Sequence, residues 1–369
     1  MSRGADTVVG EHPTGRRAGL PGVTIVIDTY DHAAYAAEAV ESALAQDHDR
    51  IEVIVVDDGS GDGTPEILRR YADRVRLVLL AQNGGQVRAI NAAWPLATHE
   101  ILIFLDGDDR LLPHAASTVA RAWRPELTKL QFCLESIDEE GRPLGHVAPK
   151  YPDALTTETI RAELLRTGSY PCAQACGNAY ARWFLDKLAP IGGLAWFDMI
   201  LEVNAPLCGE VATLPEALAC YRIHGRNDSR QTETDPSRFA AYAGVFEKKI
   251  AYLATQCRRF GFPFDPQKAM NEAVWYLELE LTARKLDRDG GRTYAESLSL
   301  GRKAIMALMR APATGRQKLW RGAWLAAVSV APAPLAAHLI RMRYVVPSRP
   351  RWIERLVGGR AQESRRPEA

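Results

Sequence analysis

The sequence has no dominant sign of charge. Its 369 residues carry 46 lysines and arginines against 45 aspartates and glutamates, a formal net charge of +1. Without a global basic field, composition gives no reason to expect nucleic acid as a partner. The six cysteines (Cys133, Cys172, Cys176, Cys208, Cys220, Cys257) have no repeating spacing, and Cys172 and Cys176 lack the CxxC pairing of a zinc site. Reduced, mostly buried thiols of a cytoplasmic protein are expected. The first twenty residues contain no apolar core of a signal peptide, so none is expected, and residues 1–22 read as a disordered leader. Long hydrophobic runs are scarce. One stretch, "GAWLAAVSVAPAPLAAHLI" at 322–340, is free of Lys, Arg, Asp and Glu.

Regular alternation begins at residue 23. The runs "VTIVI" (23–27), "IEVIVV" (51–56), "VRLVLL" (75–80) and "EILIFL" (100–105) are β-branched and continuously apolar, as in strands buried on both faces. Between them, "HAAYAAEAVESALAQ", "GTPEILRRYA" and "GGQVRAINAAWPLA" are each long enough for a crossover helix, with Thr64 and Pro65 starting the second. The pattern predicts an α/β fold with a doubly wound, mostly parallel, Rossmann-like sheet. Ligands of such sheets gather at the carboxyl ends of the strands.

Polar residues concentrate at those ends. The first strand runs into Asp28, Thr29, Tyr30 and Asp31, the second into Asp57, Asp58 and Ser60, the third into "AQNGGQVRAIN". The fourth ends in "DGDD", which places Asp106, Asp108 and Asp109 within four positions. Asp57 or Asp62 alone reads as a turn cap. The "DGDD" cluster is different: like charges packed at a strand end raise at least one pKa and cost stability unless a cation sits among them. Carboxylates two apart, with Gly107 allowing a sharp turn, suit Mn²⁺ or Mg²⁺ with phosphate oxygens completing the shell.

The segments "VTIVIDTYDHAAYAAEAVESALAQ", "IEVIVVDDGSGDGT", "NGGQVRAINAA" and "ILIFLDGDDRLLP", in this order and spacing, resemble the family 2 inverting glycosyltransferases with the GT-A fold. The resemblance extends through "GGLAWFDMILEVNAPLCGEVATLPEALACYRIHGRNDSR" and covers residues 23–230. It implies transfer of a sugar from a nucleotide diphosphate sugar to a glycan or lipid-linked acceptor, with a metal gripping the diphosphate. Carried over position by position, it makes Thr29, Tyr30 and Asp58 holders of the nucleoside, and Arg88 and Asn91 part of the donor pocket. Asp106 reaches the ribose or metal side, Asp108 and Asp109 bind metal, and His224 completes the metal shell or donates to phosphate. Arg222 and Arg226 neutralise phosphate, flanked by Tyr221, Asn227 and Ser229.

Two departures stand out. Asp28 and Asp31 replace a usual proline and asparagine, so Asp28 is itself a candidate nucleotide contact. Phe197 replaces the glutamate that normally precedes the catalytic aspartate, while Asp198 remains as the expected base for the acceptor hydroxyl, its carboxyl raised by the Trp- and Phe-rich setting. Phe197 also leaves open a nucleotide-sugar-binding protein without turnover. A nucleotidyltransferase would need a glycine-rich basic loop where this chain has the acidic "DTYDHAAY".

Beyond residue 230 the pattern turns helical, with apolar residues three and four apart and charges between them, predicting a helical extension over 231–369. These helices either pack on the catalytic domain or form a homodimer contact. The run 322–340 is borderline in length for a membrane span and is broken by Pro332 and Pro334. It reads either as an interfacial segment at 320–345, with Trp320, Trp324 and the arginines at the headgroups of a membrane surface, or as a buried hairpin. From Arg341 onward eight arginines against three glutamates suit an anionic surface, such as the cytoplasmic face of an inner membrane.

Overall fold

The structure, a computed structural model, describes residues 7–9, 19–152, 155–194, 196–225, 235–287 and 294–344. The chain divides into two compact units, the first running to Arg161 and over Pro171–His224, the second comprising 162–170 and the chain from Gly225.

In the first unit the elements follow as β1 (Thr7–Val9), β2 (Val23–Thr29), α1 (Ala36–Leu44), β3 (Ile51–Asp57), α2 (Thr64–Arg69), β4 (Arg76–Leu79), α3 (Gln86–Ala93) and β5 (Ile101–Asp106). Then come β6 (Arg110–Leu111), α4 (Ala115–Ala122), β7 (Leu127–Ile137), β8 (Pro143–Ala148) and α5 (Thr157–Thr167), which crosses into the second unit. The series closes with β9 (Asn178–Ala181), α6 (Arg182–Leu188), α7 (Phe197–Cys208) and β10 (Glu210–Arg222). The four expected strands form β2 to β5 as a parallel set in the order β4-β3-β2-β5. The sheet continues through β9, antiparallel to both β5 and β7, and then through β10 and β6. The first crossovers step outward from β2 to β3 and β4, and the next returns to β5 on the other side of β2. The β2–β5 boundary is therefore the topological switch point, where a crevice opens beyond the strand ends. The leader is not uniformly without structure, since Thr7–Val9 pairs antiparallel with β4; its residues 1–6 and 10–18 lie outside those described.

Strand alternation and small helix residues account for the core. Val23, Ile25 and Ile27 share one face with Val53, Val55, Ile101, Ile103 and Leu105. Against them lie Ala36, Ala39, Val40 and Ala43 of α1, three of them alanines that let the helix approach closely. Every residue of β2 is buried, as a strand covered on both faces requires.

The second unit is helical: α8 (Pro236–Phe260), α9 (Pro266–Glu272), α10 (Val274–Leu286), α11 (Tyr294–Arg310), α12 (Gly315–Val330) and α13 (Ala333–Tyr344). Asp235 caps α8 through the Ser237 N–H, Gly261 ends it at φ 77°, and Thr314 and Gln317 form a reciprocal capping box on α12. The uncharged run 322–340 bends between α12 and α13 at Pro332, and its interior face supplies Trp324, Leu325, Val328 and Ile340 to a core shared with Leu277, Leu281, Ala304 and Leu308. The Trp324 indole donates to the Leu339 carbonyl at 3.1 Å, and Arg343 lies 4.6 Å from its ring while pairing with the buried Glu278 at 2.6 Å. Trp324 and Arg343 thus make their contacts inside the unit, while Val330 and Leu335 of the same run are exposed. No helix among the described residues is long and apolar enough to cross a membrane. The basic tail from residue 345 lies outside them.

Candidate active site

Parallel register sets the carboxylates side by side at the switch point. Asp28 at the end of β2 is the ladder partner of Asp106 at the end of β5. The Gln86 side chain, from the first turn of α3, donates to Asp106 Oδ1 at 2.9 Å and also steadies Asp28. Burial pushes the Asp28 carboxyl up to about 7, with Gln86 opposing and the charges of Asp108 and Asp58 adding to the rise. Burial also lifts Asp106 well above the usual carboxylate range, aided by Asp28, Asp109, Asp108 and Asp198. Among the described residues, Asp28 Oδ1 and the Thr29 hydroxyl are buried without a hydrogen-bond partner. Buried polar atoms left unpaired call for an explanation, and a polar ligand at the strand ends would supply one. Gly107 owes its identity to close approach, since a Cβ there would fall 2.4 Å from Thr29 Oγ1.

Beyond Gly107 the cluster splits. Asp108 Oδ2 lies 2.9 Å from Nε2 of His224, which is 2% exposed and stacked on the Tyr35 ring at 5.1 Å. A second imidazole, His32, approaches the same Asp108 oxygen at 3.8 Å. Asp109, expected beside Asp108 at the metal, is turned inward instead: it is 1% exposed and accepts the Arg222 N–H at 2.8 Å. Burial and the Asp108 charge raise its carboxyl well above the usual range, with Cys176 and Arg222 opposing. Arg222, expected at a phosphate, makes contacts within the protein. Its guanidinium is buried, donating to the carbonyls of Asp108, Asp138 and Glu139 and to Glu38, and it lies 4.8 Å from the Tyr35 ring. It ties β10 to the "DGDD" turn. Arg226, Asn227 and Ser229 fall outside the described residues.

On the nucleoside side, Tyr30 is 44% exposed and has its ring available, whereas Thr29 is buried. Asp58 accepts from the backbone N–H groups of Gly84 and Gly85 at 3.0 and 2.7 Å, with Arg88 Nη1 at 3.7 Å from its Oδ1. It thereby fixes the glycine turn leading into α3. Arg88 also donates to the Gln82 carbonyl at 2.7 Å. Asn91 is a strut: its amide donates to Ile191 O at 2.7 Å and its oxygen accepts Ile191 N–H at 3.0 Å, holding the segment that precedes α7. Asp57 and Asp62 are turn caps, accepting from Ser60 and from Thr64 and Ala33.

Asp198 lies in the first turn of α7, half-buried, with Oδ1 accepting the Met199 N–H at 2.8 Å. The N-cap is Trp196, so Asp198 is not retained as a cap. Its charge adds to the rise of the Asp106 carboxyl, so the two carboxylates lie within electrostatic range of each other. Phe197 is fully buried, with its ring 4.9 Å from Phe104 of β5. The residue that departs from the family pattern thus serves the core. His32, Tyr35 and Gln86 went unassigned in the sequence, although "DTYDHAAY" and "NGGQVRAIN" contain all three.

Among the described residues no three His, Cys, Asp or Glu side chains are drawn tightly enough around one point to hold an ion alone. The donor chemistry at Asp108 and His224 fits a divalent cation that takes its other oxygens from a diphosphate, the usual habit of Mg²⁺.

A doubly wound sheet with carboxylates converging at its switch point defines an α/β enzyme whose ligands belong beyond the strand ends. More narrowly, the chain belongs to glycosyl transferase family 2, whose model matches residues 24–149, and its fold is the GT-A fold of that family. An uncharacterized glycosyltransferase of Nostoc sp. is 30% identical over 251 residues, covering 65% of this chain and 77% of that protein. The succinoglycan biosynthesis protein ExoO of Rhizobium meliloti is 36% identical over 231 residues, 58% of this chain and 65% of that protein. The putative teichuronic acid biosynthesis glycosyltransferase TuaG of Bacillus subtilis is 38% identical over 93 residues, 24% of this chain and 37% of that protein. Among solved structures, a mannosyltransferase of Pyrobaculum calidifontis in complex with GDP-Man and Mn²⁺ is 19% identical, with a TM-score of 0.49 over 93% of this chain and 89% of that one.

Proposed function

We propose that this glycosyltransferase moves a sugar from a nucleotide diphosphate sugar to an acceptor hydroxyl with inversion, in a metal-dependent reaction of surface glycan assembly on the cytoplasmic side. The observation that carries the reading is the Asp108–His224 pair at 2.9 Å, set beside the Asp28–Asp106 ladder pair and within electrostatic reach of Asp198. Asp108 and His224 would hold Mn²⁺ or Mg²⁺, which supplies positive charge to the departing diphosphate. The buried oxygens of Asp28 and Thr29 and the open ring of Tyr30 supply acceptors and a stacking face for the nucleoside. Asp58, Arg88 and Asn91 shape that pocket from behind. Asp198 takes the acceptor proton as the hydroxyl attacks the anomeric carbon. The place of ExoO in succinoglycan biosynthesis, and of TuaG as a putative teichuronic acid biosynthesis glycosyltransferase, supports a role in surface glycan assembly.

The experiment is Asp198→Asn, which keeps size and hydrogen bonding but cannot accept the proton. Nucleoside diphosphate binding should persist while transfer falls about 10²-fold or more. Near-native transfer by the variant would place the base elsewhere.

A further inference from the structure

We propose that the outward face of α12, with the bend into α13, docks on the surface of an anionic phospholipid bilayer, its apolar side chains in the interface and its flanking arginines at the headgroups. Docking here is independent of the catalytic reading, since all of these residues belong to the second unit.

The hairpin is apolar on two sides. Trp324, Leu325, Val328 and Ile340 face the core. The exposed positions of α12 beyond Gln317 are Leu319, Ala323, Ala326 and Val330, spaced four, three and four residues apart and therefore on one face of the helix. An outward helix face in water ordinarily carries charged and polar residues, and this one carries none. Leu319 is 76% exposed and Val330 52%. At the bend the pattern continues: Pro332, Ala333, Pro334 and Leu335 are all exposed, with Leu335 at 51%. Apolar side chains held open to water at neighbouring positions mark an interaction surface.

Charge decides what covers it. From Ser297 to Tyr344 the sequence has eight lysines and arginines and no aspartate or glutamate, although the whole chain is nearly neutral at +1. Arg310, Arg321 and Arg343 are drawn inward to Glu272 of α9 and Glu278 of α10. Arg316, one turn before Leu319, and Arg341, in the last turn of α13, are exposed on either side of the uncharged run. A second copy of this chain, packed on the same face, would set like charge against like charge. An anionic lipid surface attracts each of these arginines, and apolar residues between basic ones are the arrangement of a helix that lies in the interface. With 16 residues in α12 and 12 in α13, each helix is shorter than a bilayer span, which leaves the surface as the place of contact.

The test is cosedimentation of the full chain with vesicles of phosphatidylcholine alone and of phosphatidylcholine mixed equally with phosphatidylglycerol, at low and high salt. The wild type should pellet with the mixed vesicles, far less with the neutral ones, and less again as salt rises. Leu319→Ser combined with Leu335→Ser should weaken binding at least about 10-fold. Both side chains are exposed, so this variant should keep the wild-type circular dichroism spectrum and melting temperature. Arg316→Gln and Arg341→Gln should each weaken binding about five-fold. A wild type that stays in the supernatant with both kinds of vesicle would overturn the proposal. A double-serine variant that pellets like the wild type would also overturn it, by placing the contact elsewhere. A wild-type dimer in sedimentation velocity that the double substitution dissolves, with no vesicle binding, would make a second copy of the chain the occupant of this face instead.

Discussion

At the scale of single residues, the crowding of carboxyls at the switch point has an energetic consequence. Asp28 is buried and its carboxyl rises from an ordinary 3.8 to about 7. A carboxyl raised in the folded state binds more protons there than in the unfolded chain between those two values, so stability falls as pH climbs through that window. Asp106 and Asp109 shift in the same direction. In chelator and without nucleotide, the protein should therefore melt at a higher temperature near about pH 6 than near about pH 8, opposite to the trend set by salt-bridged carboxylates. Asp28→Asn removes one of the competing groups. It should flatten that slope and add about 2 kcal/mol of stability at about pH 8, an order-of-magnitude figure for a coupled buried site. Melting curves at the two pH values, with and without Mn²⁺ and UDP, check both statements. A variant with an unchanged slope would show that Asp28 is not a source of it.

At the scale of elements, the strands and their polar ends were legible because burial on both faces leaves an unbroken apolar signature that stops abruptly. The four runs from 23, 51, 75 and 100 became β2, β3, β4 and β5 within a residue or two. Long-range commitments of side chains were not legible. Nothing in "DGDD" distinguishes Asp108, which faces His224, from Asp109, which turns back to the Arg222 N–H, because that choice depends on β10 more than a hundred residues later. The carbonyl partners of Arg222 were not legible for the same reason, since local pattern does not show them. Asn91 offers a test. As a strut between α3 and the segment before α7, its loss leaves the Ile191 N–H unpaired and lets Asp198 drift. Asn91→Ala should lower kcat about 10-fold with nucleoside diphosphate affinity nearly unchanged. The reverse pattern, weaker nucleotide binding with kcat retained, would make Asn91 a direct donor contact.

At the scale of the whole molecule, the second unit has its own core and its own buried charge. Glu278 is 1% exposed and receives Arg321 at 3.0 Å and Arg343 at 2.6 Å, bonds that tie α12 and α13 to α10. Arg343 is further enclosed by the rings of Trp320, Trp324 and Tyr344 at 5.0, 4.6 and 5.5 Å. Removing one partner of such a group strands the others, so Glu278→Gln should destabilise this unit by about 3–5 kcal/mol. The sequence suggested a detachable membrane segment here because Trp and Arg flanking an uncharged run look alike whether they meet headgroups or a buried glutamate. Truncation before Lys318 separates the two cases. It deletes Trp324, Leu325, Val328 and Ile340 from the helical core, so the truncated chain should lose helix by circular dichroism and become sensitive to protease over 236–310. A truncated protein that keeps its protease resistance and helix content per residue, and differs only in leaving anionic vesicles, would make α12 and α13 that detachable segment.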